Sequence, residues 1–113
     1  MNILKLLKEN NGLTLDLNGQ PLKANKGYLV SIKDYESIIN QNLINENILN
    51  SIIQKMIIES PNNAYIGMWA NQAKLYLDYS VLIQDKKKAL KFAKQNEQLA
   101  IYDLENKKEI FIK

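Results

Sequence analysis

The sequence predicts an α+β fold in which an antiparallel sheet, built from hairpins, carries about three helices packed on it. Helix-like and strand-like patterns alternate along the chain, and short turn sequences such as Asn18-Gly19 separate neighbouring strand patterns. Strands joined by such short turns pair antiparallel, and no β-α-β crossover is required. The chain has 113 residues, which is the size of one core, so residues 1–113 are expected to form a single domain.

The first half of the chain predicts two helices and two or three strands. Asn2 and Asn45 can each cap a helix, and Gly12 is the expected stop of the first one. The stretch 33–45 has no clear period. In the second helix the apolar residues form a wide, isoleucine-rich stripe, so Ile52 and Ile53 are expected to be nearly fully buried. The expected elements are a helix at 2–10, strands at 13–17, 21–24 and 27–32, and a helix at 46–59.

The second half predicts two hairpins that flank a third helix. Asn71-Gln72 is expected to form the first turn, and Asp85 to cap the helix. Asn96 is expected to end that helix in a left-handed conformation. The expected elements are strands at 64–70 and 73–81, a helix at 86–96, and strands at 98–104 and 109–112.

The composition excludes several kinds of chemistry. The chain contains no cysteine and no histidine, so disulfides, thiol catalysis and Ser-His-Asp nucleophiles are impossible. All fifteen basic residues are lysine, which excludes the bidentate arginine contacts to phosphate or guanine. No phosphate-binding glycine loop is present. We therefore expect no cofactor and no enzymatic activity.

Bulk charge and hydropathy are ordinary for a globular domain. The formal net charge is +3, which is too mild to indicate nucleic acid by itself. The abundance of lysine, isoleucine and asparagine indicates an AT-rich genome rather than a function. Neither a signal peptide nor a membrane span is visible, so the expected location is the cytoplasm, and membrane contact is not expected.

Lysines concentrate at residues 86–94. The spacing of Lys87, Lys91 and Lys94 places them on one face of the predicted helix, where they could contact phosphates or an acidic partner surface. A solvated helix face is the simpler interpretation of the same lysines. Asp85 and Asp103 are better explained as a helix cap and a turn residue than as metal ligands.

Aromatic residues offer a second candidate surface. Tyr76, Asp78 and Tyr102 are predicted on strands, with Tyr76 and Asp78 on the face opposite the core. Tyrosine and tryptophan are favoured anchors in protein interfaces. Trp69 is expected to belong to the core instead. Since the apolar strands exceed what one small sheet covers, a homodimer joined through the sheet or its edge is a further expectation.

Three short segments carry a resemblance. They are Gly27-Tyr28-Leu29-Val30-Ser31, Ile66-Gly67-Met68-Trp69 and Leu75-Tyr76-Leu77-Asp78-Tyr79-Ser80, and the strongest likeness is in a fourth, the ending Asn96-Glu97-Gln98-Leu99-Ala100-Ile101-Tyr102-Asp103. Together they resemble small, uncharacterised accessory proteins carried by phages and mobile elements of AT-rich bacteria. The resemblance implies a phage setting, in which inhibitors of host defence are common. It implies no activity and no site residue.

These observations lead to one main hypothesis and one alternative. The main hypothesis is a non-enzymatic protein-binding module that inhibits a host defence effector such as a CRISPR nuclease, itself loaded with nucleic acid. The alternative is a weak, sequence-nonspecific nucleic-acid-binding protein that uses the lysine-rich helix. The candidate partner-binding residues are Lys87, Lys91, Lys94, Tyr76, Asp78 and Tyr102, of which the alternative uses only the lysines.

Overall fold

A computed structural model describes residues 2–112 and confirms the α+β class. Seven strands pair antiparallel, and three helices accompany them. The helices are α1 (Ile3–Asn10), α2 (Glu46–Ile58) and α3 (Lys86–Gln95). The strands are β1 (Gly12–Leu15), β2 (Tyr28–Ser31), β3 (Ser37–Asn40), β4 (Tyr65–Asn71), β5 (Lys74–Ile83), β6 (Ala100–Asp103) and β7 (Lys108–Phe111). Short 3-10 turns occupy Gln41–Leu43 and Pro61–Asn63.

The chain forms two compact units, each assembled from two segments. The first contains the residues up to Leu22 together with Glu36–Tyr79, and the second contains Lys23–Tyr35 together with the residues from Ser80 onward. Strand β5 contributes to both, because its residues 74–79 belong to the first unit and its residues 80–83 to the second. The expectation of a single domain stays a prediction.

In the first unit, hydrogen bonding orders the strands as β1-β4-β5-β3. Helix α1 packs on β1, β4 and α2, and α2 packs on β4. The fully buried side chains of this unit are aliphatic: Leu7, Leu15, Leu49, Ile53, Ile66, Leu75 and Leu77. Because these residues come from both helices and three strands, the two helices pack on one face of the sheet.

Side-chain capping fixes the helices of the first unit. The Asn2 and Asn45 side chains accept hydrogen bonds from the first turns of α1 and α2, as predicted. The two carboxylate oxygens of Glu46 also accept from the backbone N–H groups of Ile3 and Leu4, both at 3.1 Å. The start of α2 therefore satisfies amide groups of α1 that have no partner inside their own helix.

Several sequence predictions for the first unit are wrong. Residues 21–24 do not form a strand, because the segment after the Asn18-Gly19 turn contacts β1 only through the Leu15–Pro21 bridge and the Leu22 N–H, which donates to the Thr14 carbonyl. β1 also pairs with β4. Asn11, not Gly12, takes the left-handed position after α1, and Gly12 begins β1. The stretch 33–45, for which no element was predicted, contains β3 and a 3-10 turn. The β4–β5 turn lies at 72–73, one residue later than expected.

Burial within α2 follows the prediction only in part. Leu49 and Ile53 are buried, with Ile53 only 1% exposed, whereas Ile52 is only half-buried. The prediction that Ile52 is nearly fully buried is therefore wrong. The predicted stripe is wider than the area that α1 and β4 can cover, so residues at its margin stay in partial contact with solvent.

In the second unit, hydrogen bonding orders the strands as β5-β2-β6-β7, and α3 packs on β2 and β6. Its core consists of Val30, Ala89, Ala93 and Ile101. Asp85 caps α3 as predicted, accepting from the N–H groups of Lys87 and Lys88. Asn96 is not left-handed, because its side chain binds the Phe92 carbonyl and the Lys33 amide. Glu97 adopts the positive φ of 55° instead.

Candidate partner-binding surfaces

An exposed apolar row crosses the sheet of the first unit. Trp69 on β4 lies opposite Gly12 of β1, and Ile38 of β3 lies opposite Tyr76 of β5. The rings of Trp69 and Tyr76 are in contact, with centroids 5.1 Å apart and planes tilted by 36°. We call Trp69, Tyr76 and Ile38 the aromatic row. It joins three strands of one unit into a continuous apolar surface.

Strand alternation directs the aromatic row away from the helices. Ile66 and Met68 on β4 and Leu75 and Leu77 on β5 are buried, so the intervening residues point to the opposite face. The two helices of the first unit pack on the buried side. Within the first unit, the row therefore lies on the face that its helices leave uncovered.

Trp69 and Ile38 are the most exposed members of this surface. Trp69 is 51% exposed, and Ile38 is 52% exposed, whereas Tyr76 is half-buried. The expectation that Trp69 belongs to the core is wrong, because the core of β4 is filled by its even-numbered neighbours. A β-carbon on Gly12 would lie 3.8 Å from the Trp69 ring, so this glycine leaves one flank of the indole open.

Asp78 shares the outer face of β5 with Tyr76, as predicted, and it is half-buried. The structure thus brings together Tyr76 and Asp78, two of the six predicted site residues. Sequence reasoning missed Ile38, because the stretch around it has no strand period. The sequence feature that indicated an apolar segment there is the pair of adjacent isoleucines, Ile38-Ile39, between polar residues.

The three predicted lysines lie together on a second surface. Lys87, Lys91 and Lys94 are all exposed on α3, opposite the buried Ala89 and Ala93. We call the three lysines the lysine face. Within residues 2–112, no lysine of α3 takes part in an ion pair. Their charges are therefore available to a ligand.

The acidic residues at the two ends of α3 are already engaged. Asp85 accepts the backbone N–H groups of Lys87 and Lys88 at 2.8 and 3.2 Å. Glu97 binds Lys33, with Nζ and Oε2 2.7 Å apart, and this hydrogen bond and charge raise the pKa of Lys33 above its usual 10.5. Neither carboxylate neutralises the lysine face.

Tyr102 lies on the outer face of the second unit. Its neighbour Ile101 belongs to the core under α3, so Tyr102 points to the other side of the sheet. There it pairs with Leu29, which in turn pairs with Leu82. The lysine face and Tyr102 therefore occupy opposite sides of one sheet. A single flat partner surface cannot contact both.

Asp103 is a turn residue, as predicted. Its carboxylate accepts from the backbone N–H groups of Glu105 and Asn106 and from the Asn106 side chain. The hydrogen bond from the Asn106 side chain is the main cause that lowers the pKa of Asp103 below its ordinary 3.8. This residue closes the β6–β7 turn.

The described part of the chain contains no cluster of side chains that could bind a metal ion. Between residues 2 and 112, no three acidic side chains come close enough to share an ion. A shallow pocket of about 140 Å³ lies in the first unit, where its walls include Leu4, Leu7 and Gln41. It holds no charged group other than Lys8.

No described helix is long and apolar enough to cross a membrane. No family model matches the sequence, and no curated protein or solved structure shows significant similarity to it.

Proposed function

We propose that this protein is a non-enzymatic protein-binding module of phage or mobile-element origin that inhibits a host defence effector, with a CRISPR nuclease as the expected class. The aromatic row is the observation that carries the proposal. It offers a tryptophan and a tyrosine in mutual contact on a sheet face without a helix of its own unit. Such residues dominate the binding energy of protein interfaces.

The chemistry of the chain supports binding rather than turnover. Without histidine and cysteine, the chain lacks the commonest proton-transfer group near neutral pH and the thiol nucleophile. An inhibitor that acts by occupying a surface needs none of these. The phage setting implied by the sequence resemblance supports a defence effector as the partner.

Plating of a phage on host cells that carry one active CRISPR effector tests the proposal. A set of strains, each with a different effector, is compared with and without the protein. We expect the protein to restore plating on at least one strain and to co-purify with that effector after nuclease treatment. If the protein restores plating on none of the strains, the proposal is contradicted.

The surface is tested with a double variant, Trp69→Ala with Tyr76→Ala. Removal of interface anchors typically costs about 2 kcal/mol or more, which is about 30-fold in Kd. We expect the double variant to lose inhibition. Ile58→Ala is the matched control, because Ile58 is an apolar residue of the same unit, 82% exposed on α2 and outside the aromatic row. It should inhibit like the unmodified protein.

Titration of the purified effector separates a binder from an enzyme. If the protein is a stoichiometric inhibitor, the activity of the effector falls linearly with added protein and reaches zero at about one protein per effector. Complete inactivation at a small fraction of that ratio would show turnover and would overturn the non-enzymatic assignment.

A further inference from the structure

The net charge of the protein is concentrated on one helix. Residues 85–97 contain five lysines against Asp85 and Glu97, which leaves three positive charges, the full formal net charge of +3. The remaining ten lysines and ten acidic residues balance. The overall charge is therefore mild, although the surface of this helix is strongly positive.

Three of the five lysines of this segment lie where they do not stabilise the helix. Lys86, Lys87 and Lys88 occupy the first turn of α3, which contains no acidic residue. The N-terminal end of a helix is the positive end of its dipole, so cations there are unfavourable. Helix stability accounts for Lys94, which lies in the last turn, but not for the three lysines of the first turn, whereas the need to bind an anion would account for them.

The geometry of the lysine face suits a linear array of negative charges. At about 100° and 1.5 Å per residue, Lys87, Lys91 and Lys94 lie within an arc of about 60° and span about 10 Å along the axis. Lys88 and Gln95 flank them on the outward side. Leu90, three residues after Lys87 and four before Lys94, is partly buried and packs against the core.

We propose that the lysine face binds the phosphate backbone of nucleic acid without sequence preference. An acidic protein surface is the less suitable ligand, because stable protein interfaces have an apolar core inside a polar rim, and this face has none. Lysine contacts phosphate as a point charge, and phosphate contacts carry no sequence information, so binding through the three lysines does not discriminate between sequences. This second binding activity does not depend on the aromatic row.

Fluorescence anisotropy with labelled DNA duplexes of unrelated sequence tests the proposal directly. Three phosphate contacts predict a slope of log K against log salt of about −2.7, which is a loss of about 40-fold between 50 and 200 mM salt. We expect equal affinity for duplexes of different sequence. A salt-independent affinity, or a strong preference for one sequence, would contradict the proposal.

Charge reversal at the lysine face has a matched control. Lys87→Glu with Lys91→Glu and Lys94→Glu changes the formal net charge from +3 to −3, and so does Lys23→Glu with Lys26→Glu and Lys74→Glu at three other exposed lysines. We expect the first variant to lose duplex binding and the second to keep most of it. Equal losses would show that only overall charge matters and would overturn the site.

Two further measurements keep the result interpretable. Melting curves test whether both triple variants fold. If the charge-reversal variant of the lysine face does not fold, a neutral variant with all three lysines changed to glutamine replaces it. Polyglutamate serves as the acidic-protein probe. Binding of polyglutamate in preference to duplex DNA would assign the face to an acidic protein and refute the nucleic-acid proposal. The aromatic-row double variant should bind DNA normally.

Discussion

The indole of Trp69 and the phenol of Tyr76 lie in tilted contact, 5.1 Å between centroids, on neighbouring strands β4 and β5. Each ring limits the movement of the other, so the pair is ordered before any partner arrives. Trp69 is 51% exposed, so about half of its surface stays accessible to a partner. This pair is thus suited to binding more than to stability.

A double-mutant cycle measures the contact between these two rings. Aromatic pairs contribute about 0.5–1.5 kcal/mol beyond the area they bury. We expect Trp69→Ala and Tyr76→Ala to show a coupling of this size in urea denaturation. Effects that add within about 0.3 kcal/mol would show that the rings act independently.

The core of the first unit depends on Ile53 far more than on its neighbour Ile52. Ile53→Ala removes a side chain that is 1% exposed and should lower the free energy of unfolding by about 2–5 kcal/mol. Ile52→Ala should cost less than about 2 kcal/mol, since that side chain is only half-buried. Chemical denaturation compares the two variants, and equal costs would contradict the difference in burial.

The Asp103 turn predicts a pH-dependent stability. The pKa of Asp103 lies below its ordinary 3.8, so its carboxylate stabilises the fold above that value, and the contribution is lost as the pH falls through the folded pKa. Asp103→Asn keeps an oxygen acceptor without the charge. We expect the variant to melt lower than the unmodified protein at neutral pH, with the gap closing below pH 3.8. A gap that stays constant down to about pH 3 would contradict this role.

A homodimer joined through the sheet or its edge stays a prediction, and the second unit provides an edge for it. Among the described residues β7 pairs with β6 alone, and Phe111 on β7 is 68% exposed. An unpaired strand edge is a ready site for pairing with another chain. We expect light scattering to give the dimer mass at high protein concentration and Phe111→Glu to restore the monomer. A strict monomer for the unmodified protein would remove the prediction.

Local patterns predicted the helices well because their ends are decided locally. Asn2, Asn45 and Asp85 each cap a helix by reaching a backbone N–H two or three residues away. The alternation in β5 likewise predicted that Leu75 and Leu77 face the core. These features depend on neighbouring residues, which the sequence displays directly.

The errors arose where pairing over long sequence distances decides the structure. The Asn18-Gly19 turn forms, since the N–H groups of Asp16 and Leu22 donate to the carbonyls of Gln20 and Thr14 across it. The sequence pattern did not indicate that β1 also pairs with β4, more than fifty residues away along the chain. β3 is held by β5 and by the Gln41 side chain, which donates to the carbonyls of Gln72 and Lys74. The exposure of Trp69 follows from this long-range assembly as well, so the aromatic row could not be predicted from local periodicity.

Quenching of tryptophan fluorescence by iodide tests the role of the aromatic row most directly, because Trp69 is the single tryptophan of the chain. The measurement compares the free protein with its complex with the effector identified by phage plating, and a tryptophan-free form of that effector avoids background emission. In the free protein, Trp69 should be readily quenched. In the complex, we expect the quenching to fall several-fold as the partner covers the ring. Unchanged quenching in a saturated complex would show that the partner binds elsewhere and would contradict the proposed interface.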